Sequence, residues 1–465
     1  MKAQVLKCPV IQSALEMSLL RAETSWWARN RSDREELMKK SFYAGAAILA
    51  LIAGMASAEG HLAGEQVTVF GPWLGPDQAA VEEVLAGFAA ASGADVRYVG
   101  SDSFEQQIMV DAEAGSAPNV AVFPQPGLAA DMASRGFLTP LADGTGAWVN
   151  ENYAAGSSWV DLGTYADPDG ADELYGFFYK VDVKSLVWYS PENFEDAGYE
   201  VPTSMEDLKA LSDQIVADGS TPWCIGLGSG GATGWPATDW VEDMLLRTQT
   251  PEVYDGWVTN EIPFNDPRIV AAIEEFGAFA RNDDYVAGGA GVVASTDFRD
   301  SPKGLFSSPP QCYMHRQASF IPAFFPEGTS VGEDADFFYF PSYAEKELGN
   351  PVLGAGTLWA ITNDSPAAHA LIEYLQTPEA HETWMARGGF LTPHKGVDSS
   401  MFADAATAKM NDILLGATTF RFDGSDLMPG GVGAGSFWTG MVDYAGGTPA
   451  ADVATSIQES WDALK

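Results

Sequence analysis

The chain after position 64 alternates between the sequence period of a β-strand and that of an α-helix. Within 65–70, Val67 and Val69 place apolar side chains at every second position, as on the buried face of a strand. From Val81 to Phe88, apolar side chains recur at i, i+3, i+4 and i+7, the period of an amphipathic helix. The series predicts a strand over 65–70, a helix over 77–91, a strand over 94–99, a helix over 104–113 and a strand over 120–123. This order predicts an α/β fold with a parallel sheet flanked by helices.

The alternation continues along the chain, which is long enough for more than one hydrophobic core. Later segments predict strands over 186–189 and 224–227 and helices over 204–217, 366–376, 378–387 and 450–464. About 400 residues follow position 58, and chains of that length usually divide into parts of ordinary domain size. We therefore expect two lobes.

The segment 38–58 has the three-part layout of a secretory signal. Two lysines follow Met38, an apolar run occupies 42–55, and small residues end the segment at Ala58, where a signal peptidase would cleave. The run is too short for a stable membrane anchor, and no cysteine follows the cleavage site to carry a lipid. We expect residues 1–37 to be an upstream extension and the mature protein to be free in the periplasm. A short buried helix, the alternative, would need neither the lysines nor the small residues.

Charge and aromatic content exclude several classes of function. Of the 25 Lys and Arg and the 64 Asp and Glu in the chain, eight and five lie before residue 59, so the mature net charge is −42. Nucleic acids and anionic membrane surfaces would repel such a protein. The chain has 14 Trp but only 5 His, a balance that favours stacking recognition over metal chemistry. We expect no metal and no cofactor.

Two cysteines remain in the exported part of the chain. Cys8 precedes the predicted cleavage site, which leaves Cys224 and Cys312, each close after a proline. Two cysteines in an oxidising compartment can pair, and we expect a structural disulfide between them. Two buried unpaired thiols are the alternative.

Several segments match the sequence of a catalytic motif, but their flanking residues or spacing do not fit the structure that the motif requires. Residues 226–231 fit G-x-G-x-x-G, but they run into a Trp-Pro pair rather than directly into a helix. Residues 328–332 fit G-x-S-x-G, but a proline precedes them and acidic residues follow. His369 and His381 do not have the H-E-x-x-H spacing of a zinc site. No catalytic residue is predicted.

Four clusters combine aromatic residues with Gly, Pro and polar side chains. They span 70–77, 123–127, 234–240 and 422–438. The first two follow predicted strands, and ligands of open parallel sheets lie beyond the carboxyl ends of the strands. An indole covers the apolar face of a sugar ring, while Asp, Asn and Gln bond the hydroxyl groups at its edge. Any single Trp is more often a core residue, but turn-forming Gly and Pro beside each Trp favour loops.

With these clusters, the chain resembles the extracytoplasmic solute-binding proteins of carbohydrate ABC importers, the group that includes maltose-binding protein. The resemblance covers about 64–465. It is carried by the signal segment, by the opening over Val67–Asp77, by Leu186–Ser190 followed by Gly198–Thr203, by Gly354–Ile361 and by Phe437-Trp438. The branch most similar to this chain is the alpha-glucoside-binding one.

The resemblance implies a two-lobe periplasmic-binding-protein fold with a hinge and a ligand cleft between the lobes. Lobe one is expected over 61–183 and 352–424, and lobe two over 184–351 and 425–465. The implied partners are a small-molecule sugar and the membrane permease subunits of an ABC importer, and the implied state is a monomer that does no chemistry of its own.

The resemblance also implies ligand-binding roles for residues in the clusters. The expected stacking platforms are Trp73, Trp235 and Trp438. The expected hydroxyl partners are Asp77, Gln125, Asp239 and Asp426, with Arg316 and Gly356 as further candidates. Arg316 can equally brace Asp239 or another acid as an ordinary ion pair. The family commonly has an acid where this chain has Leu74 or Gly75. Asp77 therefore matches the family's pattern less closely than Trp73 does.

Other functions use the same residues. A polyol receptor of the same transporter class would need the hydroxyl partners without the flat stacking. A secreted glycoside hydrolase would need two carboxyl groups about 5–9 Å apart, a separation that a sequence does not show. Receptors for peptides or metals would need a charge clamp or clustered ligands, and neither pattern is visible.

Overall fold

The computed structural model describes residues 61–464, except Ala155 and the side chains of Leu414 and Leu415. The chain divides into two units, Met1–Ala63 and Gly64–Lys465, and every element described below belongs to the second. The predicted signal segment, its cleavage after Ala58 and the extension over 1–37 lie outside the described residues. Within those residues, no helix is both long and apolar enough to cross a membrane.

Eleven β-strands occur in the described part of the chain. They are β1 Gln66–Gly71, β2 Asp95–Gly100, β3 Val120–Phe123, β4 Thr164–Ala166, β5 Asp172–Leu174, β6 Phe177–Val183, β7 Leu186–Tyr189, β8 Met314–Arg316, β9 Asp336–Tyr339, β10 Pro351–Ile361 and β11 Thr419–Phe422. They form a six-stranded sheet, a three-stranded sheet and the β4–β5 hairpin.

The α-helices of the described residues lie on and between these sheets. They are α1 Pro76–Ser92, α2 Phe104–Glu113, α3 Pro126–Ser134, α4 Thr145–Asn152, α5 Gly156–Leu162, α6 Pro191–Ala197, α7 Met205–Ala217, α8 Trp235–Thr248, α9 Pro251–Val258, α10 Pro267–Ala280, α11 Pro366–Leu375, α12 Pro378–Met385, α13 Ala405–Leu415, α14 Gly424–Leu427, α15 Trp438–Ala445 and α16 Ala450–Asp462. Proline at the first helical position begins many of them, where its missing N–H costs nothing. Ser204 caps α7 by accepting a hydrogen bond from the N–H of Asp207.

The six-stranded sheet is mixed rather than parallel. Its order is β11-β10-β3-β1-β2, and β6 pairs with β10 as well. β1 is parallel to β2 and β3, as the βαβ rhythm predicts. β10 is antiparallel to both β3 and β6. The predicted parallel pairing is confirmed for β1, β2 and β3, whereas β10 joins the sheet antiparallel because it arrives by a long return path and no crossover helix links it directly to β3.

The chain leaves the six-stranded sheet and later returns to it. Two residues separate β6 from β7, which lies at the centre of the antiparallel sheet β8-β7-β9. The chain returns through β10 and ends in α14, α15 and α16. Separate apolar cores accompany the sheets: one contains Phe104, Phe123 and Leu358, and another contains Trp240, Phe276 and Trp461.

Most predicted elements are present, and several have the predicted bounds. The helix over 104–113 and the strands over 120–123 and 186–189 are confirmed without change. The strand over 224–227 is wrong. Its backbone bonds to unrelated segments, since the N–H of Cys224 donates to Met314 (2.9 Å) and that of Leu227 donates to Val293 (3.0 Å).

Cys224 and Cys312 are joined by a disulfide, with their Cα atoms 5.5 Å apart. Both residues are buried. The bond ties the irregular segment after Pro222 to the loop that leads into β8.

Candidate ligand-binding site

A cavity lies among the carboxyl ends of β1 and β3, the β6–β10 pair, the start of α8 and the α14–α15 segment. Its volume is about 150 Å³, roughly ten times what a single water needs. Eight of the nine predicted ligand-binding residues line it: Trp73, Asp77, Gln125, Trp235, Asp239, Gly356, Asp426 and Trp438. The four sequence clusters thus meet at one place, although up to 365 residues separate their members along the chain.

Arg316 is the predicted residue that does not line the cavity. Its guanidinium lies behind Asp239, with Nη2 2.6 Å from Asp243 Oδ2 and Nη1 3.8 Å from Asp239 Oδ2. Because Arg316 belongs to β8 and is fully buried, its charge is used to brace α8. A direct ligand contact is therefore the wrong role for Arg316, and the ion-pair alternative is the one observed.

Trp73 forms one wall of the cavity and is held from behind by aromatic rings. It follows β1 in the turn that leads to α1, and its side chain is 8 % exposed. Its ring centroid is 4.9 Å from that of Trp384 in an edge-to-face contact. The hydroxyl of Tyr98 accepts a hydrogen bond from the Trp73 N–H at 2.9 Å. These contacts fix both the backbone and the ring of Trp73.

Trp235 and Trp438 are brought together by a close backbone contact. Gly234, which precedes α8, has φ 117° and packs against the backbone carbonyl of Trp438 at the start of α15. Only glycine fits there, because a Cβ would overlap that carbonyl. The Trp235 ring packs edge-on against Phe298 at 4.9 Å and is half-buried, whereas Trp438 is buried.

Four polar atoms of residues that line the cavity have no hydrogen-bond partner in the described part of the chain. They are Gln125 Oε1, Asp239 Oδ2, Thr357 Oγ1 and Trp438 Nε1, and all four are buried. Buried polar atoms are nearly always paired, so a group of orphans around one cavity calls for a partner from outside the chain. One indole donor, two acceptors and one hydroxyl that both donates and accepts complement a ligand rich in hydroxyl groups.

A buried ionic network forms the floor of the cavity. Lys184 Nζ donates to Asp239 Oδ1 at 2.8 Å and also to Asp423. Burial opposes the charge of Lys184, but the carboxylates of Asp239 and Asp423 outweigh it and hold its pKa well above the usual value. Burial raises the pKa of Asp239 to about 7 despite the attraction of Lys184.

Asp239, Glu242 and Asp423 bring their carboxylates close enough to hold a metal ion. The Lys184 ammonium already lies between Asp239 and Asp423, however, and supplies the positive charge there. Glu242 accepts hydrogen bonds from the N–H groups of Gly424 (3.0 Å) and Ser425 (2.9 Å), so it serves the start of α14. Donors of the chain itself thus already bond at least one oxygen of each of the three carboxylates.

Two further carboxyl groups face the cavity from α1 and α2. Burial raises the pKa of Asp77 to about 6, with Lys180 opposing the shift and Asp182 adding to it. Burial also raises the pKa of Glu105 to about 7. Such shifts mark polar groups that are desolvated in a site, as is typical of binding pockets.

Sequence reasoning missed the charged residues of β6 and its end. Lys180, Asp182 and Lys184 all line the cavity, and Lys180 pairs with Asp182 at 2.7 Å. A signal for them was present, because three charges alternate with Val181 and Val183 in an otherwise apolar strand. Such alternation directs the charged side chains to one face of the sheet.

The two glycine-containing segments that match catalytic motifs in sequence have other structural roles. Residues 226–231 form a loop whose Gly231 carbonyl accepts a hydrogen bond from Gln106 at 3.3 Å, and α8 begins only at Trp235. Residues 328–332 form a turn in which Asp334 Oδ2 accepts a hydrogen bond from the Ser330 N–H at 2.8 Å.

Fold and cavity together define a receptor that encloses a small solute. Residues 71–382 match the family described as bacterial extracellular solute-binding protein, and the chain belongs to that family. The predicted family is therefore confirmed. Members of this family are transport receptors rather than enzymes, so the glycoside hydrolase alternative no longer applies.

Two curated relatives cover most of the chain. The alpha-glucosides-binding periplasmic protein AglE of Rhizobium meliloti (strain 1021) is 64 % identical over 409 residues, 88 % of this chain and 89 % of the relative. The osmoprotective compounds-binding protein GgtB of Synechocystis sp. (strain ATCC 27184 / PCC 6803 / Kazusa) is 45 % identical over 399 residues, 85 % of this chain and 92 % of the relative.

Solved structures share the fold at low sequence identity. The bacterial solute receptor AcbH has a TM-score of 0.72 at 19 % identity and covers 86 % of this chain and 99 % of its own. Maltose-bound MalE3 of T. maritima has a TM-score of 0.67 at 14 % identity, covering 86 % and 100 %. The predicted two-lobe α/β fold is thereby confirmed.

Proposed function

We propose that the protein captures an alpha-glucoside such as trehalose, maltose or sucrose in the cavity and delivers it to the permease subunits of an ABC importer. The observation that carries the proposal is the set of four unpartnered buried polar atoms among three indoles. The 64 % identical relative, whose name states that it binds alpha-glucosides, supports the choice of ligand class.

Each cavity residue has a role in this proposal that follows from its chemistry. Trp73, Trp235 and Trp438 cover the C–H faces of the sugar rings. Gln125, Asp239, Asp77 and Asp426 bond ring hydroxyls, and the Trp438 Nε1–H donates to one of them. Gly356 contributes part of the β10 wall, where its missing side chain lets β10 pack closely against Lys180 and Phe178 of β6.

The lobe boundaries in this proposal are 61–183 with 352–424 for lobe one, and 184–351 with 425–465 for lobe two. They are supported by the two places where the chain passes between sheets, from β6 to β7 and from β9 to β10, and by the start of α14 after β11. The residues between these elements act as the hinge that closes the lobes over the sugar. We further propose that the mature protein begins after Ala58 and works as a periplasmic monomer.

The test is isothermal titration of the mature protein with maltose, trehalose, sucrose, mannitol, sorbitol and amino acids, with a thermal-shift series in parallel. A ligand at 100 times its Kd adds about 2.7 kcal/mol to the free energy of unfolding, which is a visible melting shift. We expect saturable binding of at least one disaccharide. Binding of amino acids alone would contradict the proposal.

Variants tie the binding to the cavity. Trp438→Phe removes the orphan Nε1–H and should weaken disaccharide binding about tenfold, the worth of one buried hydrogen bond. The matched control is Trp461→Phe, which changes an indole in the core near α16. An equal loss of affinity in both variants would place the ligand elsewhere.

A second candidate is a polyol, bound as an osmoprotective solute by a receptor of the same transporter class. It is favoured by the 45 % identical relative, which is named for osmoprotective compounds. Binding of mannitol or sorbitol without any disaccharide would favour it over the first candidate.

A further inference from the structure

The positive charges that line the cavity are already committed to carboxylates. Lys180 pairs with Asp182 at 2.7 Å, and both side chains are buried. Lys184 pairs with Asp239 at 2.8 Å and with Asp423.

Arg299, the third cation of the lining, is half-buried. Its Nη1 lies 3.0 Å from Asp297 Oδ2, a carboxylate outside the lining. Each of the three cations therefore has a carboxylate partner before any ligand enters.

Four carboxyl groups of the lining have no ion-pair partner within the residues that the structure describes. Asp77, Glu105 and Asp426 are buried and Asp102 is half-buried. In total seven carboxyl groups and three cations line the cavity. At pH 8, above the pKa of about 6 of Asp77 and the pKa of about 7 of Glu105, both of these carboxyl groups are ionised. An entering negative charge would face them and find no free cation in the lining, and like charges brought together in a desolvated site cost several kcal/mol.

We propose that the cavity is a charge filter that admits neutral and amino-substituted glycosides and rejects glycosides that carry a carboxylate or a phosphate. The inference rests on the proposed function, because it concerns the same cavity and the same class of ligand. It adds a rule that neither hydroxyl recognition nor indole stacking would impose.

The test is a series of three ligands that differ in charge and little in size. The parent is trehalose, maltose or sucrose, whichever binds in the panel above. In one derivative the primary hydroxymethyl groups are oxidised to carboxylates, and in the other they are converted to aminomethyl groups. Affinities are measured by titration at pH 8, where carboxylates in water are ionised.

We expect the carboxylate derivative to bind at least about 100-fold more weakly than the parent, and the amine derivative to bind within about tenfold of it. Binding of the carboxylate within threefold of the parent would overturn the filter. An equal loss for both derivatives would also overturn it, since substitution rather than charge would then be the cause. If no parent disaccharide binds, the proposed function fails and the filter with it.

A double variant and a control variant test which carboxyl groups reject the negative charge. Asp77→Asn combined with Glu105→Gln should reduce the ratio of parent affinity to carboxylate affinity by at least about tenfold. If the substitutions also break hydroxyl contacts, parent and derivative lose the same affinity, and this loss cancels in the ratio. Glu261→Gln is the control, because it neutralises an exposed carboxylate that does not line the cavity. The same ratio in all three proteins would overturn the assignment.

Discussion

The hydroxyl of Tyr98 holds both backbone groups of Trp73. It accepts a hydrogen bond from the Trp73 N–H at 2.9 Å and donates one to the Trp73 carbonyl at 3.2 Å. Tyr98 lies in β2, beside β1, so a rigid strand fixes the turn that carries an indole of the cavity. Gly100 makes room for this arrangement, because a Cβ there would overlap the Trp73 carbonyl.

Tyr98→Phe should therefore weaken disaccharide binding about tenfold and lower the free energy of unfolding by about 1–3 kcal/mol, since the Trp73 N–H would be left buried and unpaired. Titration calorimetry measures the first effect and denaturant unfolding the second. Tyr165→Phe is the matched control, because the Tyr165 hydroxyl is buried without a partner in the described chain.

A double-mutant cycle separates positioning from general destabilisation. If Tyr98 acts through the indole, Tyr98→Phe should cost no further affinity in a Trp73→Ala background. Additive losses in the two variants would show that Tyr98 supports the fold without positioning Trp73.

Gly234 offers a second test of how the site is assembled. Gly234→Ala places a Cβ against the Trp438 carbonyl at a positive φ, so it should separate Trp235 from Trp438 and reduce affinity more than tenfold. Gly170→Ala is the control: its φ of 85° carries a similar strain, but nothing lies within 4 Å of the added Cβ. We expect Gly170→Ala to cost about 1–2 kcal/mol of stability and no affinity. Unchanged binding by the Gly234 variant would show that the contact between Gly234 and the Trp438 backbone does not position the two indoles for the ligand.

The sequence predicted the positions of the site's loop residues better than those of its charged residues. Trp73 and Gln125 follow strands with clear period-2 or wholly apolar patterns, so their place at a sheet edge could be foreseen. Trp235 and Trp438 lie near turn-forming Gly residues, and Gly234 contacts the backbone of Trp438. Local sequence was sufficient where one strand or one turn decides the position of a side chain.

The remaining features depend on contacts between distant segments. Arg316 looked equally able to bind a ligand or an acid, and only the packing of β8 beneath α8 shows that it pairs with Asp243. The antiparallel direction of β10 depends on a return path from another sheet, which no local period records. Lys184 gains its role from two acids that lie 55 and 239 residues away.

The Cys224–Cys312 disulfide closes a loop of 88 residues, so it restricts the unfolded chain strongly. Replacing both cysteines by alanine should lower the free energy of unfolding by about 2–5 kcal/mol, as measured by denaturant titration. Disaccharide affinity should stay within threefold, because neither cysteine lines the cavity. A large loss of affinity at a temperature where the variant is folded would show that the disulfide shapes the site.

The stability of the ligand-free protein should fall as pH rises from about 6.5 to 7.5. Burial raises the pKa of Asp77 to about 6 and that of Glu105 to about 7, so the folded state binds protons that the unfolded state releases. Their contribution is lost as pH rises through these values. Burial lowers the pKa of His315 to about 4 and that of His381 to about 3, so their contribution to stability is lost as pH falls below the ordinary histidine value of 6.5. Below pH 6.5 this loss opposes the gain from the carboxyl groups.

Melting temperatures between pH 4.5 and 8.5 at constant ionic strength measure this profile. Glu105→Gln removes one of the raised carboxyl groups, so the decline above pH 6.5 should become shallower, and between about pH 4.5 and 6.5 stability should rise more steeply with pH than in the parent protein. A profile that rises steadily to pH 8.5 would contradict the assignment of buried, proton-binding carboxyl groups to the cavity. If the variant left the slope above pH 6.5 unchanged, Glu105 would not be the group that titrates near neutrality.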